Sequence, residues 1–226
     1  MVSEQGLSVE IFRDSDFEHI DTDVAESGID VLSRIHKGIA IVRASRLFTI
    51  APKGQEYIDP FDVEWPEFDA DHNIILTEKT IFGARGNPDR AHQVPRKPVA
   101  ATTVRIGSDS SFKLSIVGIY TALRPELNVA HELAHQFNVK NSGKDWDGAY
   151  HCNNSKCVMY HKEVVTAEDT ATDTNQQNEF MSLFMMHMTG IFDKNQIIKI
   201  HNEDFCDECA GQIDQNVFLL KRAKTG

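Results

Sequence analysis

Long apolar runs are missing from this chain of 226 residues. No uninterrupted span approaches the ~20 apolar residues needed to cross a bilayer, so a membrane partner is not expected. Met1 to Phe12 also lacks an apolar stretch flanked by positive charge, so no secretory leader is expected and the cytosol is the expected location. Basic residues are too few to balance the acids: 23 Lys and Arg stand against 34 Asp and Glu, a formal net charge of −11. A phosphate backbone is bound by clusters of Lys and Arg, so this balance argues against a nucleic-acid partner. Cysteine is scarce as well, with four in the chain, and in a reducing cytosol thiols are better placed to bind metal than to form disulfides. There is no internal repeat.

What is present is concentrated at His131-Glu132-Leu133-Ala134-His135. Pro125 and Glu126 suit a first helical turn, and Leu127, Ala130, Leu133, Ala134 and Phe137 recur at helical spacing. At roughly 100° per residue these apolar side chains cover one arc of a helix, with His131, His135 and Glu132 on the arc beside it. Two imidazoles four residues apart project from neighbouring turns and can share a Zn²⁺, while the carboxylate between them can reach a water on that metal. Zinc lowers the pKa of such a water to about 7, which makes it a nucleophile toward a polarised carbonyl. A chance match on an amphipathic helix would leave the histidines as ordinary polar residues, so the residues downstream matter.

There, His151-Cys152, then Cys157-Val158-Met159, and later Cys206-Asp207-Glu208-Cys209 account for all four cysteines. Two cysteine pairs closing a long loop are a common tetrahedral thiolate arrangement for a structural zinc. From His131 to Met159 and at Cys206 to Cys209 the chain resembles the archaemetzincin family of zinc metallopeptidases, whose pattern runs HExxHxxGxxHC, four residues, CxM, a spacer and CxxC. Upstream, Thr80 to Ala84 and Val99 to Ile106 look like two strands of that family. The resemblance implies that His131, His135 and His151 hold a catalytic zinc and that Glu132 is the general base. It implies further that Met159 is the Met-turn residue beneath the metal, and that Cys152, Cys157, Cys206 and Cys209 hold a second, structural zinc.

The chain departs from the pattern in three places. Asn138 replaces the family glycine that makes a left-handed turn, for which Asn is the next best residue. Twelve residues, Val139 to Tyr150, then precede His151, so the literal third-ligand position falls on Asn141, a poor zinc ligand. His151 is the preferred third ligand because it directly precedes Cys152. Finally, 46 residues separate Met159 from Cys206, more than in the family, and this stretch is expected to add a helix. Within it, Asn178-Glu179 resembles the glutamate helix of thermolysin-like zinc peptidases and makes Glu179 a rival third ligand. Met181, Met185, Met186 and Met188 read as core or groove filling. Tyr160 lies near enough in sequence to serve an oxyanion or to pack. Cys206 to Cys209 is an alternative redox pair only if a strand leads into it. His19, His36, His72, His92, His161, His187 and His201 read as ordinary polar residues.

For the rest, the sequence predicts a helix over Gly28 to Lys37 and strands over Gly38 to Ile50, Asn73 to Phe82, Val99 to Ile106 and Phe112 to Ile116. The acidic, proline-bearing segment Ala51 to His72 reads as a loop whose Tyr57, Phe61, Trp65 and Phe68 anchor it to the core. Gly83 to Pro98 reads as a connection. Met1 to Glu26, with eight Asp or Glu and only Arg13 as a base, reads as a solvated face.

The expected fold is α/β: a metzincin-like twisted mixed sheet backed by helices, with the HExxH helix along its edge and a small C-terminal zinc-bound subdomain. A chain with 41% hydrophobic residues can form one domain of this kind, spanning 1–226, with 1–138 above the cleft and 139–226 below it. The resemblance implies a zinc-dependent peptidase acting on a peptide or protein, captured along a sheet edge, with two zinc ions per chain. A zinc-stabilised scaffold without activity is the alternative.

Overall fold

The computed structural model describes residues 7–37, 39–60, 63, 65, 68–82, 98–106, 112–119, 124–137, 139, 151–154, 156–160, 165–167, 198–200 and 204–225. The central sheet has five strands in the order β2-β1-β4-β8-β7: β1 (Leu7–Asp14), β2 (Ile39–Phe48), β4 (His72–Thr77), β7 (Ala101–Ile106) and β8 (Phe112–Gly118). Four strands run parallel, and β7 pairs antiparallel with β8 at one edge. Short strands β3 (Tyr57–Ile58), β5 (Thr80–Phe82) and β6 (Pro98–Val99) form a second sheet, and β9 (Val165–Ala167) pairs with β10 (Ile198–Ile200). The helices among the described residues are α1 (Asp23–Ser33), α2 (Pro125–Gln136) and α3 (Asp207–Thr225).

The sheet carries a core on each face. Ile74 and Leu76 of β4 join Val9 and Ile11 of β1 on the helical side, where Ile29, Leu32, Val129, Leu133, Phe137, Ile213 and Val217 meet them. Ile75, one residue over, faces the other way with Phe12, Leu114 and Ile116. The alternation is the period of two that a strand imposes. Covered on both sides, β4 is buried at every position, the pattern of an interior parallel strand. The acidic loop after β2 closes the second face through Ile50, Ile58, Phe68 and Trp65, the anchoring role expected of its aromatics. Tyr57 is half exposed and meets Phe82 edge-on, and Phe61 lies outside the described residues.

The N-terminal segment corrects its reading as a solvated face. Its residues 7–14 are the interior strand β1, with Glu10 1% and Asp14 0% exposed. Two local pairings make this burial tolerable. Arg46 reaches Glu10 at 3.4 Å from the neighbouring strand. The Thr77 hydroxyl donates to Asp14 at 2.7 Å. Burial still pushes the Asp14 carboxyl above its ordinary value, against the hydrogen bonds from Thr77 and the Asp16 amide. Beside it, Lys79 donates to Asp16 at 2.5 Å and to the Gln55 carbonyl at 2.8 Å, tying the loop to the end of β4.

Elsewhere the outcome is closer to expectation. The predicted strand Asn73 to Phe82 is two strands, β4 and β5, broken at Glu78 and Lys79, and Val99 to Ile106 is likewise split between β6 and β7. The first helix begins earlier than predicted, at Asp23. The connection over 83–97 and the helix expected between Met159 and Cys206 lie outside the described residues, apart from β9 and β10.

The helix α1 packs on α2 at Gly28, where a Cβ would come within 2.5 Å of the Glu126 carbonyl oxygen and 2.6 Å of the Val129 Cβ. Both obstacles are close to the α2 backbone and cannot swing aside. Gly28→Ala is therefore expected to destabilise the protein: overpacking of this kind costs about 1–3 kcal/mol, which outweighs the helix-propensity gain of up to about 1 kcal/mol. Urea unfolding with an unchanged slope is the check, and equal or greater stability would show that the two helices are not in contact there.

Candidate metal centres

The helix α2 buries the arc that its sequence predicts. Leu127, Ala130, Leu133, Ala134 and Phe137 are all in the core, at about 1.5–3 kcal/mol for each fully buried leucine or phenylalanine. This fixes the rotation of the helix, so His131 and His135 emerge on the neighbouring face, partly buried. Their Nε2 atoms lie 3.0 Å apart. His151 completes the group: its ring stacks on His131 with centroids 5.2 Å apart and meets His135 edge-on, also at 5.2 Å. One nitrogen from each of the three falls within 4.8 Å of the others.

His131 Nδ1 lies 2.7 Å from the Val158 carbonyl oxygen. A carbonyl only accepts, so Nδ1 carries the proton and the lone pair of Nε2 is aimed at the other imidazoles. Metal-ligating histidines characteristically anchor their second nitrogen in this way. Val158 belongs to a tight turn in which the Cys157 amide donates to Asn154, the Tyr160 amide to Cys157 and the Cys152 amide to Met159, the last at 2.7 Å. Met159 is fully buried in the same cluster as Cys152, Cys157 and Cys209. Tyr160 is partly buried at the end of the turn.

The four cysteines gather, with one sulfur from each within 4.8 Å of the rest, and none is in a disulfide. Cys152 Sγ and Cys206 Sγ are 3.7 Å apart. Sulfurs about 2.3 Å from a common tetrahedral Zn²⁺ stand about 3.8 Å from one another, so the spacing suits that ion. Backbone amides point at the sulfurs: Asn154 at Cys152, 3.4 Å, and Cys206 at Cys157, 3.3 Å. Without a cation the acidities of these thiols diverge. A hydrogen bond from Cys209 drives the Cys157 thiol down to about 5, whereas burial pushes Cys152 up to about 11. Four sulfurs so close can all ionise only around a positive charge. The imidazole set is of a size for the same ion: tetrahedral nitrogens at 2.0–2.1 Å would be about 3.4 Å apart, and one nitrogen from each ring lies within 4.8 Å of the others.

Glu132 projects beside the histidines and is 7% exposed. Its Oε2 accepts from the Thr103 hydroxyl of β7 at 2.5 Å. Burial pushes its carboxyl up to about 7, opposed by that hydrogen bond and by the charge of His151. The sequence reading missed Thr103 and what lies behind it: Ser115 and Gln136, both fully buried. Gln136 stands one turn beyond Glu132 on the same face, and a polar residue beside the buried arc was the signal available. Asn138, Asn141, Glu179, the methionines 181–188, and His92, His161, His187 and His201 lie outside the described residues. His72, read as an ordinary polar residue, is instead buried in the core. Cys206 lies just before α3 and Cys209 in its first turn, with the sulfurs of Cys152 and Cys157 within 4.8 Å of theirs, so the pair belongs to a four-cysteine cluster.

With a mostly parallel sheet backed by helices and two groups of side chains that could each hold a metal ion, this is an α/β protein with two candidate metal centres. Its fold is archaemetzincin-like. The crystal structure of archaemetzincin from Methanopyrus kandleri superimposes with a TM-score of 0.53 over 96% of this chain and 99% of that one, at 12% identity. That of archaemetzincin from Archaeoglobus fulgidus, complexed with malonate, gives a TM-score of 0.45 over 91% of this chain and 99% of that one, at 14% identity. No protein-family profile and no curated protein matches the chain. No helix among the described residues is long and apolar enough to cross a membrane.

Two separate donor sets lead to the expectation of two zinc ions per purified chain, counted by elemental analysis. The imidazole set should yield its ion to a chelator first, being neutral where the other is thiolate. Cys206→Ser should abolish cooperative unfolding or lower its midpoint steeply, since a structural zinc contributes folding free energy directly. A single zinc, or disulfides in the purified protein, would contradict the two-centre arrangement.

Proposed function

We propose that this protein is a zinc-dependent metallopeptidase that hydrolyses peptide bonds in a peptide or protein substrate. The observation that carries the reading is the convergence of His131, His135 and His151 beside a buried carboxylate, Glu132. The archaemetzincin-like fold supports it. In this reading the three histidines hold the catalytic zinc, and Cys152, Cys157, Cys206 and Cys209 hold a structural one, with Met159 as the Met-turn residue under the histidines. When bound, the catalytic ion polarises the scissile carbonyl and acidifies water. Glu132 takes the proton of the attacking water and delivers it to the leaving amine, so that one carboxylate serves as base and then as acid. His131 is held by the Val158 carbonyl in the tautomer that presents Nε2. The turn that begins at Cys152 places His151, whatever the length of chain before it. Reduced, clustered thiols suit the cytosol, and the charge of −11 disfavours nucleic acid as a substrate.

Glu132→Ala is expected to leave a folded protein with its full complement of zinc and to lower turnover by about a hundredfold or more in a broad peptide-library cleavage assay. Near-normal turnover would remove Glu132 from the mechanism. For the third ligand, His151→Ala should weaken the catalytic zinc by about a hundredfold or more in competition with a chelator, whereas Asn141→Ala and Glu179→Ala should leave it in place. Loss confined to Glu179→Ala would point to a thermolysin-like arrangement. No loss in any variant, with no cleavage by the parent chain, would leave a zinc-stabilised scaffold.

A further inference from the structure

A line of polar side chains, none of them a metal donor, runs from the sheet interior to Glu132. His72, at the start of β4, is 2% exposed and meets the Phe137 ring edge-on at 4.6 Å. Its Nδ1 lies 3.0 Å from Gln136 Oε1. Gln136 Nε2 lies 3.0 Å from the Asn73 carbonyl oxygen and 2.6 Å from Ser115 Oγ. Ser115 Oγ is 3.0 Å from Thr103 Oγ1, across the register pair that joins β8 to β7. Thr103 Oγ1 is 2.5 Å from Glu132 Oε2 and 3.0 Å from the Glu132 carbonyl oxygen.

Elementary donor and acceptor chemistry gives this line a direction. The Asn73 carbonyl only accepts, so the amide NH₂ of Gln136 must face it, and Oε1 must face His72. His72 Nδ1 therefore carries a proton. The second hydrogen of the Gln136 amide goes to Ser115, which then gives its own hydroxyl proton to Thr103. Thr103 has one proton and two acceptors within reach, and the carboxylate, closer and charged, takes it in preference to the backbone carbonyl. Every hydrogen bond in the line thus points toward Glu132.

We propose that this directed chain of donors, ending in the Thr103 hydroxyl, is the positioning device for the Glu132 carboxylate, fixing Oε2 so that Oε1 is presented to the water it deprotonates. The proposal rests on the peptidase reading for its consequence in catalysis, though not for the restraint on Glu132. Without that restraint the carboxylate would choose among rotamers. A reacting group misplaced by about 1 Å can cost on the order of a hundredfold in rate. Thr103 suits the task because it lies on a strand whose register is set by the β8 ladder, so its hydroxyl cannot drift.

The test uses the zinc-loaded chain of 226 residues with Thr103→Val, which keeps shape and loses the hydroxyl, Thr103→Ser, which keeps the hydroxyl, and Ser115→Ala. Two readouts are taken: kcat and KM on a peptide drawn from the cleavage library, and the infrared carboxylate band of Glu132, assigned as the band missing in Glu132→Gln. Thr103→Val should keep its zinc and its KM, lose on the order of ten- to a hundredfold in kcat, and shift the band. Thr103→Ser should recover most of the kcat and return the band to its place. Ser115→Ala should move both readouts the same way to a smaller extent. A merely structural role predicts a lower unfolding midpoint with kcat and the band unmoved. That result, or equal losses in Thr103→Val and Thr103→Ser, overturns the proposal. If Thr103→Val fails to fold, an unmoved band in Ser115→Ala overturns it instead. If the parent chain binds zinc and cleaves nothing, the peptidase reading falls, and the band alone decides whether Thr103 holds Glu132.

Discussion

The hydrogen bond from His131 Nδ1 to the Val158 carbonyl is the interaction on which the arrangement of both donor sets depends. Val158 sits between Cys157 and Met159, inside the turn that the cysteines gather. One backbone carbonyl therefore fixes the tautomer of a histidine on α2 and at the same time registers the cysteine turn against that helix. His151 enters through the same turn, one residue before Cys152. The two sets are chemically distinct, imidazole and thiol, but mechanically they are a single unit: any movement of the cysteine turn displaces two of the three imidazoles.

Apolar packing prepares this unit and polar pairing refines it. The arc of α2 that enters the core leaves the helix no rotational freedom, and Gly28 lets α1 close on it from outside. Between the apolar clusters, the buried groups Glu132, Gln136, Ser115 and His72 would each cost a few kcal/mol if left without partners. The hydrogen bonds that satisfy them also cross-link three strands to α2. The polar seam thereby specifies how the helix lies on the sheet more narrowly than hydrophobic burial, which is non-directional, could do.

Much of this was legible in the sequence. The apolar arc of α2, the pairing of two histidines at i and i+4, the His-Cys junction at 151 and 152 and the two cysteine pairs each follow from spacing, and the structure brings those side chains together. The anchoring of Trp65 and Phe68 followed from composition. The interior strand β1 did not, because Glu10 and Asp14 make it read as surface, whereas Arg46 and Thr77, both distant in sequence, neutralise or solvate them in the fold. The break between β4 and β5 was hidden by an apolar run on both sides of Glu78 and Lys79. Thr103, Ser115 and His72 were invisible for a related reason: their roles come from strand register, which couples residues far apart in sequence and leaves no periodic trace. Gln136 alone carried a local sign, a polar side chain beside the buried arc.

The turn around Val158 has a consequence for the order in which the molecule assembles. Its amide donates to the Asp204 carbonyl, and Cys157 receives the Cys206 amide on its sulfur, so the clamp on His131 is completed by chain synthesised long after the histidine itself. The α2 helix is local and can form as soon as it emerges, but these partners are distant, and loop closure over such separations is slow. A nascent chain on the ribosome therefore carries its HExxH helix for some time without the carbonyl-bearing turn that orients it. The turn that carries the Val158 carbonyl is therefore completed late, once Asp204 and Cys206 have joined it, and a chain that stops short of them lacks that clamp on His131.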